Sequence, residues 1–576
     1  MPDDKEAQTD ERNLARIKSI LELIYGPARG REALARIKSL LDGFPVQASR
    51  RESFVSQDDV VLITYGNSLN RPGQKPLATL GDFARQHLAD LFAAIHILPF
   101  FPYSSDDGFS VIDFKAVNPE LGSWDDINRL SRDFDLMVDL VLNHISARSD
   151  WFCRYLHGED GFKELALEVD PSLDLDHVVR PRVTPLLTAF TRADGKTVHV
   201  WTTFSADQID LNYKSLDVLE KMLDVLLFYV RQGAALIRLD AIAYLWKETE
   251  TTCIHCVQTH EMVRLFRAVL DRVAPDTVII TETNVPHSEN ISYFGNGRDE
   301  AQMVYNFTLP PLLLHTFVKG EATALARWAK DLEIPAAGTT YFNFTASHDG
   351  IGVRPLEGVL PAEEIARLVR WTRAKGGDVS CKKNSDGSET PYELNITYVD
   401  AIGGAGDGAA GRAAAFLASQ AIQLVFPGVP GVYIHSLLGS RNWTEGVRQT
   451  GRARTINREP LELDRVLAEL ARPGSPRQAI FTGYADLLRI RRRQPAFHPR
   501  AAFTVEDFPP AVFGVTRTAD RQTILALTNV TGREIALARP EGAGSLSYDL
   551  ISGDFLKAGD IHLKPFQSRW LTDNPF

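Results

Sequence analysis

The chain has 576 residues, of which 44% are hydrophobic and 24% charged, with a formal net charge of -11. That length exceeds one ordinary domain, and an acidic balance without a long basic run argues against a nucleic-acid partner. No apolar run is long enough to span a bilayer, and the polar, acidic residues 1–12 do not form a signal peptide. The four cysteines (Cys153, Cys253, Cys256 and Cys381) are too few for a disulfide framework, so a reducing cytoplasm is the expected compartment. Cys253-Ile254-His255-Cys256 resembles half a zinc site, but no second ligand pair follows at suitable spacing and no metal is expected.

Residues 12–43 predict two amphipathic helices. Leu14-Ala15-Arg16-Ile17-Lys18-Ser19 recurs as Leu34-Ala35-Arg36-Ile37-Lys38-Ser39. Two copies do not make a repeat architecture, and residues 1–54 are expected to form a helical extension packed outside the main domain. From residue 55 apolar, strand-like runs alternate with helical stretches: 59–65, 94–100, 136–142, 234–241, 277–282, 303–307, 340–344 and 431–434. Eight such alternations imply an α/β fold, a (β/α)8 TIM barrel, in three parts at 55–150, 206–354 and 413–499. Two insertions interrupt it. Residues 151–205 form a small subdomain with a strand at Trp201-Thr202-Thr203-Phe204. Residues 355–412 are turn-rich, with Gly376-Gly377 and Asn384-Ser385-Asp386-Gly387, and are expected to be a mobile insertion over the site. The glycine-rich connector at 403–408 lacks the lysine of a phosphate-cradling loop. Residues 500–576 change to short alternating runs (512–517, 524–530), the pattern of an antiparallel β domain.

Three of the apolar runs lead into carboxylates: the run at 234–241 into Asp240, the run at 277–282 into Glu282, and the run at 340–344, through Thr345-Ala346-Ser347-His348, into Asp349. Barrels of this kind keep their catalytic groups at the C-terminal ends of the strands. One carboxylate at a strand end is ordinarily a cap or a loop ion pair; three in one barrel are a constellation. Two carboxylates suffice to cleave a glycosidic bond, one as nucleophile or base and the other as proton donor. Arg238 lies two residues before Asp240 on the same strand face and would hold it ionised, as a nucleophile requires. Glu282 has no cation beside it in sequence and suits the donor, whose pKa an apolar surround would raise. Asp349 beside His348 would bind sugar hydroxyls. His144 reads equally as a packed histidine or a site residue. Phe101, Tyr103, Phe109, Phe204 and Tyr244 read as core, or as surfaces on which a sugar stacks.

Asp106-Asp107-Gly108-Phe109, Asp139-Leu140-Val141-Leu142-Asn143-His144, Arg238-Leu239-Asp240-Ala241, Glu282 and His348-Asp349 resemble, in order, the conserved regions of the α-amylase superfamily. Leu121-Gly122-Ser123-Trp124-Asp125-Asp126, the run Phe307-Thr308-Leu309-Pro310-Pro311-Leu312-Leu313-Leu314-His315 and His348-Asp349-Gly350-Ile351-Gly352-Val353 resemble its sucrose phosphorylase group. The resemblance implies a retaining glucoside phosphorylase that yields α-glucose 1-phosphate. Asp240 would be the nucleophile, Glu282 the acid/base and Asp349 the transition-state stabiliser. Asp106, His144, Gln208, Arg238, His348 and Arg458 would line the glucose subsite, with Phe109 and Phe204 as its apolar walls. Arg182, Tyr244, Asn284, Tyr392 and Glu393 lie where the group binds fructose or phosphate. Asn284 and Glu393 stand where sucrose phosphorylases carry histidine and glutamine, and the aspartate those enzymes have near Thr390 is missing. Thr281-Glu282-Thr283-Asn284-Val285-Pro286-His287, Arg180-Pro181-Arg182 and Pro391-Tyr392-Glu393-Leu394-Asn395 are more similar to the branch that cleaves glucosylglycerate.

Glu393 would repel a glycerate carboxylate unless Arg182 or another cation intervenes, so glucosylglycerol, whose aglycone is uncharged, stays open. Sucrose is a further alternative, as is a hydrolase or transglucosidase on the same barrel, which differs only in the second nucleophile. A catalytically silent sugar-binding barrel would be expected to have lost one of the three carboxylates. The resemblance implies no metal or organic cofactor, with inorganic phosphate as co-substrate. Its implied partners are a small α-glucoside and phosphate, with neither nucleic acid nor membrane, and a homodimer is left open.

Overall fold

The computed structural model describes residues 3–45, 53–333, 336, 338–383, 388–403, 408–539, 546–557 and 559–574. Eight parallel strands close a barrel: β1 (Val61–Thr64), β2 (Ala94–Ile97), β3 (Asp135–Leu140), β4 (Ala234–Leu239), β5 (Val278–Thr281), β6 (Met303–Tyr305), β7 (Thr340–Phe344) and β8 (Val429–Tyr433). Each strand pairs with the next in chain order, and β8 pairs with β1. Every predicted run overlaps one of these strands, two of which begin earlier than expected, at Asp135 and Val429. They are apolar and buried almost throughout because helices cover the outside of the barrel while side chains fill its centre. β4 ends at Leu239, so Arg238 is still in the ladder and Asp240 is the first residue beyond it.

The N-terminal segment is helical from Asp3–Asp42 but breaks at Gly26, which takes the left-handed φ of 78° directly before Pro27. Its two halves lie on the outside of the barrel. Arg16 bonds Asp271 at 2.6 Å on the helix Val257–Val273, and Arg36 bonds Asp217 at 2.6 Å on the helix Leu216–Arg231. Ile17, Leu21, Ala33, Ile37 and Leu41 are buried beneath it.

Both insertions differ from expectation in detail. In the first, the hairpin pairs Leu187–Thr191 with Thr197–Trp201, so the strand ends at Trp201 instead of running on to Phe204. The cause is buried Asp210, which accepts from Thr203 N at 2.8 Å and Thr203 Oγ1 at 2.6 Å and draws the chain out of the ladder. The second insertion is built mainly of regular elements. It has a helix (Ala362–Ala374) and a hairpin of Asp378–Lys383 with Glu389–Asn395, to which Ile351–Gly352 adds a third strand. Leu368, Tyr392 and Leu394 are buried there, a local core that the turn residues in the sequence concealed. The turn at Asn384-Ser385-Asp386-Gly387 and most of the glycine connector fall outside the described residues.

At the C-terminus six antiparallel strands form a sheet in the order Ala502–Val505, Val512–Ala519, Gln522–Asn529, Ser568–Thr572, Tyr548–Asp549, Asp554–Phe555. Among the described residues no helix is long and apolar enough to cross a membrane.

Candidate active site

The ends of β3, β4, β5 and β7 deliver the acidic residues to one mouth of the barrel. Asp240 N donates to Leu140 O at 3.3 Å and Glu282 N donates to Leu239 O at 3.2 Å, so the ladder carries both carboxylates out side by side. Ala241 then takes a left-handed conformation (φ 50°), an uncommon state for a residue with a Cβ. The turn aims its N–H at Glu282 Oε2, 3.2 Å away.

Arg238 organises the floor. It is 2% exposed and donates through Nη1 to Asp139 and, at 2.7 Å, to Asp240 Oδ1. Its Nη2 is 3.7 Å from Glu282 Oε2, so Glu282 does have a cation nearby, contrary to the sequence reading, but at a longer range than Asp240 has. The cation was invisible in sequence because it comes from the neighbouring strand. Burial alone would raise Asp139, yet His96 and Arg238 more than offset it and bring that carboxyl down to about 2. Burial raises both Asp240 and Glu282 above the usual carboxylate range, and their mutual repulsion adds to the effect at Asp240. Arg238 attracts both carboxylates and opposes the rise, bonding Asp240 directly and standing farther from Glu282.

Asp349 is held differently. Burial would raise it, but Arg454 at 2.7 Å, with His348, Arg458 and Arg238 behind, holds it well below the usual range. Asn457 Nδ2 donates to Asp349 O at 2.9 Å and fixes the backbone. His348 is pushed down by burial and stacks on Phe109, with ring centroids 4.8 Å apart and planes 8° from parallel.

The pocket above these groups is lined by Asp106, Phe109, His144, Arg182, Phe204, Gln208, Arg238, Tyr244, Asn284, His348, Tyr392 and Glu393 as well as the three carboxylates. Gln208 Nε2 donates to Asp106 Oδ2 at 3.2 Å and lies 3.1 Å from His144 Nε2, which is itself 3.0 Å from Phe109 O. Burial lowers His144, so its ring is neutral. Phe204 meets Tyr244 edge-on at 5.6 Å. Phe101 is buried against Tyr229, and Tyr103 is 41% exposed; neither lines the pocket.

Arg458 departs from its expected place. It donates to His348 O at 2.7 Å and to Asp107, lies 3.9 Å from Asp349, and lines an adjoining opening instead. Asp107, left-handed at φ 50°, turns its carboxylate to Arg458 and Arg452, which draws Arg458 aside.

The residue that sequence reading missed is Arg454. It lines the pocket, meets Asp349, and makes a two-pronged bond to Glu393, with Nε to Oε2 at 2.9 Å and Nη2 to Oε1. The signal in the sequence is the arginine spacing in Arg452-Ala453-Arg454-Thr455-Ile456-Asn457-Arg458. Among the described residues no group of three His, Cys, Asp or Glu side chains is placed to hold a metal.

A closed parallel barrel with this acidic triad around a buried arginine defines an α-amylase-type catalytic domain. A family model of the alpha amylase catalytic domain matches residues 86–348. The chain is 48% identical to a glucosylglycerate phosphorylase of Spirochaeta thermophila, over 97% of this chain and 98% of the relative. It is 44% identical to the glucosylglycerate phosphorylase of Escherichia coli, over 96% of this chain and 99% of the relative. Among solved structures it superposes on a sucrose 6F-phosphate phosphorylase from Thermoanaerobacter thermosaccharolyticum with TM-score 0.72 and 27% identity, covering 82% of this chain and 94% of the other. The chain belongs to the α-amylase superfamily, in its group of sucrose and glucosylglycerate phosphorylases.

Proposed function

We propose that the chain is a retaining phosphorylase that converts 2-O-α-glucosylglycerate and phosphate to α-glucose 1-phosphate and glycerate, reversibly. The similarity that carries this reading is to relatives of that name, matched over nearly their whole length.

The site supplies a consistent chemistry. Asp240 attacks the anomeric carbon as the glycosidic bond breaks, and Glu282 gives its proton to the departing glycerate oxygen. The product is a β-glucosyl-enzyme. Phosphate then attacks that carbon and displaces Asp240. Glu282, now ionised, accepts whatever proton the attacking oxygen carries, and two inversions give net retention. Asp349, held ionised by Arg454, binds sugar hydroxyls in the distorted ring. Asp106, His144, Gln208, Arg238 and His348 form the glucose subsite, with Phe109 and Phe204 as its walls. Arg182, Tyr244, Asn284 and Tyr392 face the acceptor. The objection that Glu393 would repel glycerate loses force, because Arg454 neutralises it through two hydrogen bonds. No metal or organic cofactor takes part in these steps. A cytoplasmic location is part of the proposal, supported by four cysteines that are all unpaired.

The test is release of glucose 1-phosphate by purified protein given phosphate with glucosylglycerate, glucosylglycerol or sucrose in parallel. Release from glucosylglycerate at a kcat/KM at least about tenfold above the others is the expected result, a difference of roughly 1.4 kcal/mol in transition-state binding. Free glucose formed at equal rates with and without phosphate would make the protein a hydrolase.

A further inference from the structure

Three guanidinium groups line the pocket: Arg182, Arg238 and Arg454. Its two histidines, His144 and His348, are kept neutral by burial. Arg238 is occupied by Asp139 and Asp240. Arg454 is also occupied: Nε and Nη2 are on Glu393, and Nη1 is on Asp349. Arg182 alone has no hydrogen-bond or ion-pair partner among the described residues. Arg454 nevertheless faces space an anion could enter, since it lines both the pocket and the adjoining opening.

The reach of Glu393 is built into the fold. Ile351–Gly352, two residues past Asp349, pairs with the strand Glu389–Asn395, and Gly352 stands opposite Glu393 in that register. A Cβ at Gly350 would come within 3.0 Å of both Glu393 Cβ and Leu394 O, so a residue without a side chain is what lets the strand approach so closely. Glu393 is 2% exposed, and a carboxylate so buried needs a charged partner.

We propose that Glu393 is a positioning residue: it clamps Arg454 onto Asp349 and withdraws it from anion recognition, so that glycerate and phosphate share one cation, Arg182. This rests on the phosphorylase reading above. Sharing one cation makes the two anions mutually exclusive. The acceptor site must empty of glycerate before phosphate can attack, and glycerate should compete with phosphate for the glucosyl-enzyme. An unclamped Arg454 would offer a second anion site beside Asp349, where a bound anion would block the stabilising carboxylate.

The experiment is calorimetric titration of the full-length protein with sulfate, an unreactive dianion, alongside phosphorolysis kinetics. The wild type is expected to bind one sulfate, and Arg182→Gln to lose it. Glu393→Gln, close in shape but uncharged, should bind sulfate about tenfold more tightly or bind a second one, in line with the strength of a charge-assisted hydrogen bond. The same variant should lose kcat more than it changes KM for the glucoside. The gain should vanish in Glu393→Gln/Arg454→Gln. Glu393→Asp, which keeps the charge, should show no gain; it also serves should Glu393→Gln fail to fold, because a sulfate gain in Glu393→Asp would contradict the charge argument. Unchanged sulfate binding in Glu393→Gln, or a gain that survives the double substitution, would overturn the proposal. Sulfate binding needs no turnover, so an absence of phosphorolysis in the wild type would sink the functional reading separately.

Discussion

Glu282 and Asp240 leave neighbouring strands and face the same guanidinium, yet one touches it at 2.7 Å and the other at 3.7 Å. In the proposed reaction that difference separates the roles. Glu282 is raised by burial, so its acid form persists to higher pH than an exposed glutamate, and bond cleavage that depends on it should fall as pH rises through its pKa. Glu282→Gln keeps the shape and removes the proton transfer. With glucosylglycerate it is expected to slow glucosyl-enzyme formation by about 10²–10⁴-fold, the usual contribution of a positioned acid. With α-glucosyl fluoride, whose leaving group needs little protonation, the first step should stay near the wild-type rate and its basic pH limb should disappear. Single-turnover kinetics across pH separates these outcomes. An equal loss on both substrates would mean that Glu282 does not act by protonating the leaving group.

At the scale of elements, the hairpin Asp378–Lys383 and Glu389–Asn395 builds the proposed acceptor side by closing on the strand after Asp349. Gly352 marks the tightest point, because a Cβ there would meet the Asn284 side-chain amide at 2.6 Å. The obstacle is a displaceable side chain, so Gly352→Ala should fold, with a stability loss of at most about 1–3 kcal/mol from overcrowding. It should also push Asn284 out of place. The expected result is a several-fold rise in KM for phosphate and glycerate with little change in glucosyl-enzyme formation from α-glucosyl fluoride. A parallel loss in both half-reactions would place Asn284 outside acceptor binding. The same hairpin shows why some of the site was readable and some was not. Asp240 and Glu282 directly follow long apolar runs, and Asp349 comes a few residues after another. Buried parallel strands leave that signature in sequence whatever their neighbours are. Arg454 follows no such run. Its role comes from Glu393, 61 residues earlier, and no local pattern encodes a contact between an inserted hairpin and a loop after β8. The regular elements of the insertion were hard to read for a related reason: its turn residues are conspicuous, while its small core depends on packing against the barrel.

At the scale of the whole molecule, the barrel and the C-terminal sheet are joined by a buried arginine, Arg517, as well as by apolar packing. Arg517 is fully buried and donates to Val425 O at 2.8 Å and His498 O at 2.6 Å. Arg491, equally buried but on the barrel's last helix, Pro476–Arg492, ties the barrel to itself, donating to Leu424 O at 3.1 Å, Gln57 O at 2.7 Å and Gly428 O at 3.1 Å. An arginine in an alternating strand ordinarily reads as facing solvent, so this joint left no trace in the periodicity. Of the carbonyls Arg517 reaches, that of Val425 closes the helix Gly408–Val425, whose last carbonyls have no partner within the helix. Val425 lies four residues before the start of β8, at the opposite end of the barrel from the site. Arg517→Leu would fill much of the space but leave Val425 O and His498 O without their donor, at a cost of about 1–3 kcal/mol for each group left unsatisfied. The expected phenotype is a clear fall in Tm with kcat and KM unchanged at 25 °C, read by calorimetry and steady-state kinetics on the same preparation. An unchanged Tm would show that water or a local shift replaces the guanidinium. A fall in kcat without a fall in Tm would mean that the joint reaches the active site through the barrel, and that the C-terminal sheet contributes to catalysis as well as to stability.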